Sequence, residues 1–172
     1  IVTGLCVLLG YPVAYFIARE RGGARHLVLI VVTASLFTNL IVRTYGWMVF
    51  LTPRGLLNNV LTDFGLIERP LKLMFNETGV IIGLTQINLP VLVLVAAVAI
   101  QSIDRVLEHA AAVAGAGPLR IFMKVTWPLS LVGVLSGSAL VFALTISNFI
   151  TADFLGGGRV MILGTMIRQL MT

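Results

Sequence analysis

The sequence predicts an all-α, polytopic helical membrane protein, and three observations predict it. Of 172 residues, 58% are hydrophobic and only 11% are charged, where a soluble domain carries about a quarter charged. Mean hydropathy is +1.03. Apolar runs of about 20 residues, long enough to cross a hydrocarbon core as helices, alternate with short polar stretches that hold most of the charge. The net charge of +5 comes from basic residues between the runs, where headgroups and topology account for it, so it does not point to nucleic acid. Cys6 is the single cysteine and excludes an internal disulfide. The chain starts at Ile1 inside an apolar run and shows no signal peptide, so it reads as a fragment.

The first span is 1–18, with Gly10 and Pro12 placed to bend it and Tyr11 and Tyr15 as interface anchors. Residues 19–26 form a tight loop with three arginines, which points to the cytoplasm. The second span, 27–51, is about 37 Å long if fully helical. Arg43 lies well inside it and must snorkel, pair or face water. With Tyr45 and Trp47 it forms an outer headgroup belt, or else Arg43 is a pathway lining or a structural lock. In the connector 52–78, Leu56, Leu57, Val60, Leu61, Phe64 and Leu66 recur at helical spacing, which predicts an amphipathic helix lying on the membrane or against the spans.

The third span is 79–100. Gly79 and Gly83 form a GxxxG that permits close helix contact. Thr85, Gln86 and Asn88 must hydrogen-bond between helices or line a wet cavity, and Pro90 is placed to kink the span. The fourth span, 129–147, carries a second GxxxG at Gly133 and Gly137. Residues 148–159 read as a loop with Asn148, Asp153 and a triple glycine; the Lys-Ser/Thr of a phosphate-binding loop is missing. Residues 160–171 read as a short apolar helix.

Between the third and fourth spans lies the stretch around which the chain is organised. Residues 102–114 predict a short helix with Ser102 as N-cap, Asp104 in the first turn and alanines in the body. Gly115, Gly117 and Pro118 break it. A second helix, 119–126, carries Arg120 and Lys124 on one face and is ended by Pro128. The stretch is too polar for lipid and too compact for a floppy loop.

This spacing resembles the EAA loop of ABC-importer permeases: Glu-Ala-Ala, three residues, Gly, nine residues, Ile-x-Leu-Pro. Here His109-Ala110-Ala111 is followed by three residues, Gly115, nine residues and Val125-Thr126-Trp127-Pro128. His109 replaces the Glu, and Glu108 is adjacent. Three further stretches resemble the spermidine/putrescine-permease subgroup: Arg43-Thr44-Tyr45-Gly46-Trp47; Gly55-Leu56-Leu57-Asn58 with Phe64-Gly65-Leu66-Ile67; and the stretch from 148, where Asn148 replaces an acid, Ala152 a proline, and Asp153 keeps the second acid.

The resemblance implies the type I ABC importer (MetI-like) permease fold without its first and last spans, in a bacterial inner membrane. It implies a transport subunit, not an enzyme, with no cofactor of its own, importing polyamines. Its partners would be cytoplasmic ABC ATPase subunits, a second permease subunit, an extracytoplasmic substrate-binding protein and membrane lipid, with no nucleic acid. Loop 101–128 would couple to the ATPase through Glu108, His109, Ala110, Ala111, Gly115 and Pro128. The candidate translocation path comprises Arg43, Tyr45, Trp47, Gln86, Asn88, Asn148 and Asp153, of which Asp153, Tyr45 and Trp47 suit a polycation.

Lysine and arginine number six in the predicted inside loops and five outside, so the short first loop and the resemblance together orient the chain. Related importers of thiamine, ferric iron, sulfate or phosphonate share the implied fold. An ion-gradient-driven transporter would want an acidic residue within a span, and the four predicted spans hold none. A scaffold without transport accounts for the GxxxG pairs but not for the loop spacing.

Overall fold

A computed structural model describes residues 1–53, 55–65, 67, 71 and 73–156, without the side chains of Phe149, Ile150, Ala152 and Asp153. Among the described residues the structure is helical, with no strand. The helices are α1 (Val2–Arg19), α2 (Gly23–Phe37), α3 (Leu40–Leu51), α4 (Leu56–Asp63), α5 (Glu77–Gln101), α6 (Arg105–Val113), α7 (Pro118–Ile121), a π turn (Phe122–Thr126), α8 (Trp127–Ser147) and α9 (Phe149–Gly156). Three are long and apolar enough to cross a membrane: α1, α5, and the continuous helix Pro118–Ser147. They run through Pro12, Pro90 and Pro128 without interruption.

Two compact units divide these elements. One holds residues 3–35 and 89–141. Its core sets Tyr11, Ala14, Ile17 and Ala18 of α1 with Val93, Ala96, Ala97 and Ile100 of α5 and Val134 of α8, and Val28, Leu29 and Val32 of α2 pack against them. Positions 11, 14 and 18, like 93, 97 and 100, fall on one helical stripe. Small residues let the backbones close up. A β-carbon at Gly133 would collide with that of Ala99, and one at Gly137 would stand 3.3 Å from Leu92 and Val95. Tyr11, read from the sequence as an interface anchor, is buried, and its hydroxyl shares a 2.9 Å hydrogen bond with Ser130 Oγ.

The other unit holds the described residues of 1–2, 36–88 and 142–156. Gly83 of α5 meets Leu155 and Thr151 of α9, and Thr44 of α3 lies 3.4 Å from the Thr151 hydroxyl. Of the GxxxG of α5, Gly83 thus serves contact with α9, while Gly79 lies against the Leu73 carbonyl. Buried Asn58 pins the connector, donating to Thr52 O (3.1 Å) and Leu71 O (3.0 Å) and accepting from Leu71 N (2.9 Å).

Several boundaries differ from those the sequence predicted. The basic loop is shorter than 19–26, because α2 begins at Gly23. The stretch 27–51 is two helices, since Asn39 turns its side chain onto Ile41 N at 2.8 Å and caps α3 instead of continuing α2. In α4 the fully buried residue is Asn58 and Leu61 is part-buried; Leu56, Leu57 and Val60 are exposed, as is Phe64 just beyond it, which leaves most of that apolar face open. The predicted loop from 148 is helical as far as Gly156, with Asn148 Oδ1 accepting from the Thr151 hydroxyl at 3.0 Å. Leu66, Gly157, Gly158 and the predicted helix 160–171 lie outside the described residues.

Candidate functional site

The candidate coupling end is built on α6. Asp104, not Ser102, is its N-cap: α5 continues to Gln101, and Asp104 Oδ1 accepts from Val106 N at 2.9 Å. At the other end Gly115 N bonds Ala112 O (2.9 Å) and Ala116 N bonds Ala111 O (3.0 Å). This is a Schellman closure, and it needs the left-handed φ of +82° that Gly115 supplies. The chain then re-enters a helix at Pro118. Pro128 does not end that helix. The π turn precedes it, with Trp127 N bonded five residues back to Phe122 O, and the wider turn relieves the clash of a proline ring with the preceding carbonyls.

α6 presents two faces. Arg105, Glu108 and Ala111, spaced by three, are part-buried. Glu108 Oε1 accepts from Arg19 Nη2 at 2.5 Å and from the Thr126 hydroxyl at 2.7 Å. Arg105 Nη2 reaches the α1 carbonyls of Ala18 (3.4 Å) and Arg19 (3.2 Å), placing a cation on the negative end of that helix. The ends of the two loops predicted to be cytoplasmic are thereby joined. His109, Ala110 and Val113 are exposed on the other side, as are Gly115 and Pro128. Beside them Gly115, Gly117, Pro118, Leu119, Arg120, Met123 and Lys124 line a groove of about 560 Å³.

Of the candidate path residues, the structure brings three together. Arg43 Nη2 donates to both Gln86 O (2.9 Å) and Gln86 Oε1 (3.0 Å), and Trp47 Nε1 donates to the same Oε1 at 3.2 Å. Arg43, Gly46, Trp47, Phe50 and Gln86 line a cavity of about 300 Å³. Arg43 and Trp47, four apart on α3, share the face that meets α5. The others are placed separately. Tyr45 lies tilted against Phe154 with centroids 5.5 Å apart. Buried Asn88 donates to Leu84 O at 2.9 Å and to Thr145 Oγ1 at 3.4 Å, and Asn148 caps α9. The side chain of Asp153 lies outside the described residues.

Sequence reasoning missed Arg19, Arg105 and Thr126 as parts of the candidate coupling end. The spacing of Arg105 and Glu108 was a usable signal. The pairing of Arg19 with Glu108, 89 residues apart, carried no signal beyond opposite charges on loops predicted to share one side.

A family model, the binding-protein-dependent transport system inner membrane component, matches residues 7–172. The chain belongs to this family. Among curated inner-membrane components it is 36% identical over 169 residues to the spermidine/putrescine transport system permease protein PotB of Haemophilus influenzae, covering 98% of this chain and 59% of that one. It is 35% identical over 168 residues to the Escherichia coli PotB, covering 98% and 61%. It is 32% identical over 161 residues to the molybdenum transport system permease protein ModB of Mycobacterium tuberculosis, covering 91% and 58%. The chain therefore spans about three-fifths of the length of these permeases. In fold it resembles a bacterial ABC transporter involved in the import of the acidic polysaccharide alginate, at TM-score 0.63 and 22% identity over 89% of this chain and 55% of that one. The all-helical architecture is the ABC-importer permease fold, in a chain of the inner-membrane-component family.

Proposed function

We propose that this chain forms part of the translocation subunit of an ATP-driven importer of polyamines. In this reading α1, the α2–α3 pair, α5 and α8 are its spans, and 101–128 is its coupling loop. The observation that carries the reading is α6: a short, alanine-rich helix with the EAA spacing, closed at both ends and presenting His109, Ala110 and Val113 to solvent. Such a face allows close approach of a partner backbone, which suits docking to a cytoplasmic ATPase. A second permease subunit and an extracytoplasmic binding protein complete the assembly. The polyamine assignment draws on the PotB relatives and on the 43–47 signature.

One observation favours a second substrate class. Among the described residues Arg43 bonds only to Gln86, with no carboxylate, and it borders a cavity. An unneutralised guanidinium there suits an oxyanion better than a polycation, and a molybdenum permease is among the relatives. The test is a cysteine at 109 or 112, with Cys6 replaced, co-expressed with the ATPase of the same operon. An ATP-dependent cross-link is expected, and its absence in a well-expressed complex refutes the coupling reading. Saturable uptake of labelled spermidine that molybdate does not compete supports the polyamine reading; saturable uptake of labelled molybdate with no uptake of spermidine replaces it.

A further inference from the structure

Arg19 closes α1, Glu108 lies in α6, and Thr126 ends the π turn that leads into α8. One oxygen, Glu108 Oε1, holds both of the others, at 2.5 and 2.7 Å. The arginine and glutamate side chains are only 13% and 19% exposed, and Thr126 is fully buried. A charge-assisted bond so far withdrawn from water is stronger and more demanding of geometry than a surface ion pair. Arg19 Nε is buried without a hydrogen-bond partner among the described residues, so Glu108 is the carboxylate on which the lodging of that guanidinium depends. Arg105, one turn before Glu108 on the same face, adds its bonds to the last carbonyls of α1.

The covalent joints on either side of α6 are short breaks in the helical winding. Residues 102–104 link it to α5, and the turn around Gly115 and Gly117 links it to α7. A helix hung between two such joints pivots when pushed unless side chains fix it to its neighbours.

We propose that Glu108 is the positioning residue that makes α6, the end of α1 and the start of α8 move as one body. A displacement of α6 then reaches α1 and α8 instead of being absorbed at the Gly115–Gly117 turn. This rests on the coupling reading above, and the experiment separates the two.

The complete permease pair, its ATPases and its binding protein are reconstituted in proteoliposomes. The readouts are ATP hydrolysis, the cross-link from position 112 to the ATPase, and uptake of spermidine, or of molybdate should the unmodified complex import that instead. Glu108→Gln keeps the shape and loses the charge. It is expected to preserve cross-link and hydrolysis within about twofold while uptake per ATP falls about tenfold. Exchanging the charges, Arg19→Glu with Glu108→Arg, is expected to restore at least half of that ratio. Unchanged uptake per ATP in Glu108→Gln overturns the proposal. Should that variant fail to assemble, the charge exchange decides: recovered assembly with uncoupled hydrolysis overturns it, and recovery of both supports it. Absence of the cross-link when the cysteine at 112 is introduced with Glu108 intact removes the coupling reading and this proposal with it.

Discussion

Replacing Gln86 with leucine removes one acceptor oxygen and leaves two donors without it, while changing the volume little. The Arg43 bond to Gln86 Oε1 at 3.0 Å and the Trp47 bond at 3.2 Å are lost; the Arg43 bond to the Gln86 backbone oxygen at 2.9 Å survives. A hydrogen bond between membrane helices contributes about 0.6–1 kcal/mol, and a part-buried charged donor left short of a partner costs about 1.5–3 kcal/mol. The sum is about 2–4 kcal/mol. For a chain of this length that lowers the unfolding midpoint by about 4–16 °C. The assay is the temperature at which the detergent-solubilised complex loses its monodisperse peak. Trp47→Phe removes only the Trp47 bond, about 0.6 kcal/mol or 1–2 °C. Because that bond is already gone in Gln86→Leu, the double variant should be no less stable than Gln86→Leu alone. Uptake per assembled complex should stay within about twofold if the cluster is a lock between α3 and α5. An unchanged midpoint, or strictly additive losses, refutes the energetic argument. Lost uptake at an unchanged midpoint makes the cluster a pathway.

Asn58→Ala removes three hydrogen bonds to backbone from a side chain that is 1% exposed; limited proteolysis should cut the connector about tenfold faster, and an unchanged rate would show that the connector is held otherwise. Gly115→Val forces a β-branched residue to the φ of +82° and should cost about 1–2 kcal/mol at the end of α6, lowering uptake at constant abundance, whereas Gly115→Asn should stay within about twofold; equal effects of the two would refute the backbone argument.

Much of the fold was legible because a membrane simplifies the code. Uninterrupted apolar runs and GxxxG pairs located α1, α5 and α8 to within a few residues of their observed ends. Local polar competition was harder to read. Asn39 looks like one polar residue inside a span, yet its carboxamide does better as a cap than in a helix interior. Pro128 looks like a terminator, and only the π turn before it lets the helix continue. In the coupling end, α6 and its glycine closure were readable from short-range spacing. Its attachment was not, because Arg19 and Thr126 meet Glu108 only once the chain has folded. The apolar periodicity of α4 was real, but it did not reveal that Asn58 is the residue turned inward.

The π turn at Phe122–Thr126 also sets how this helix tolerates insertions and deletions. A π turn is one residue of slack in an α-helical winding, so deleting one residue there lets the winding close up with Arg120 and Gly133 still in phase. The same deletion inside α8 would swing everything beyond it by about 100° and carry Gly137 off the α5 surface it touches. Pro128 guards that slack, because its ring sits poorly in the regular helix that closing up would produce. Turn and proline are therefore a matched pair, and a chimaera joining this loop to another permease's span has to take both or neither.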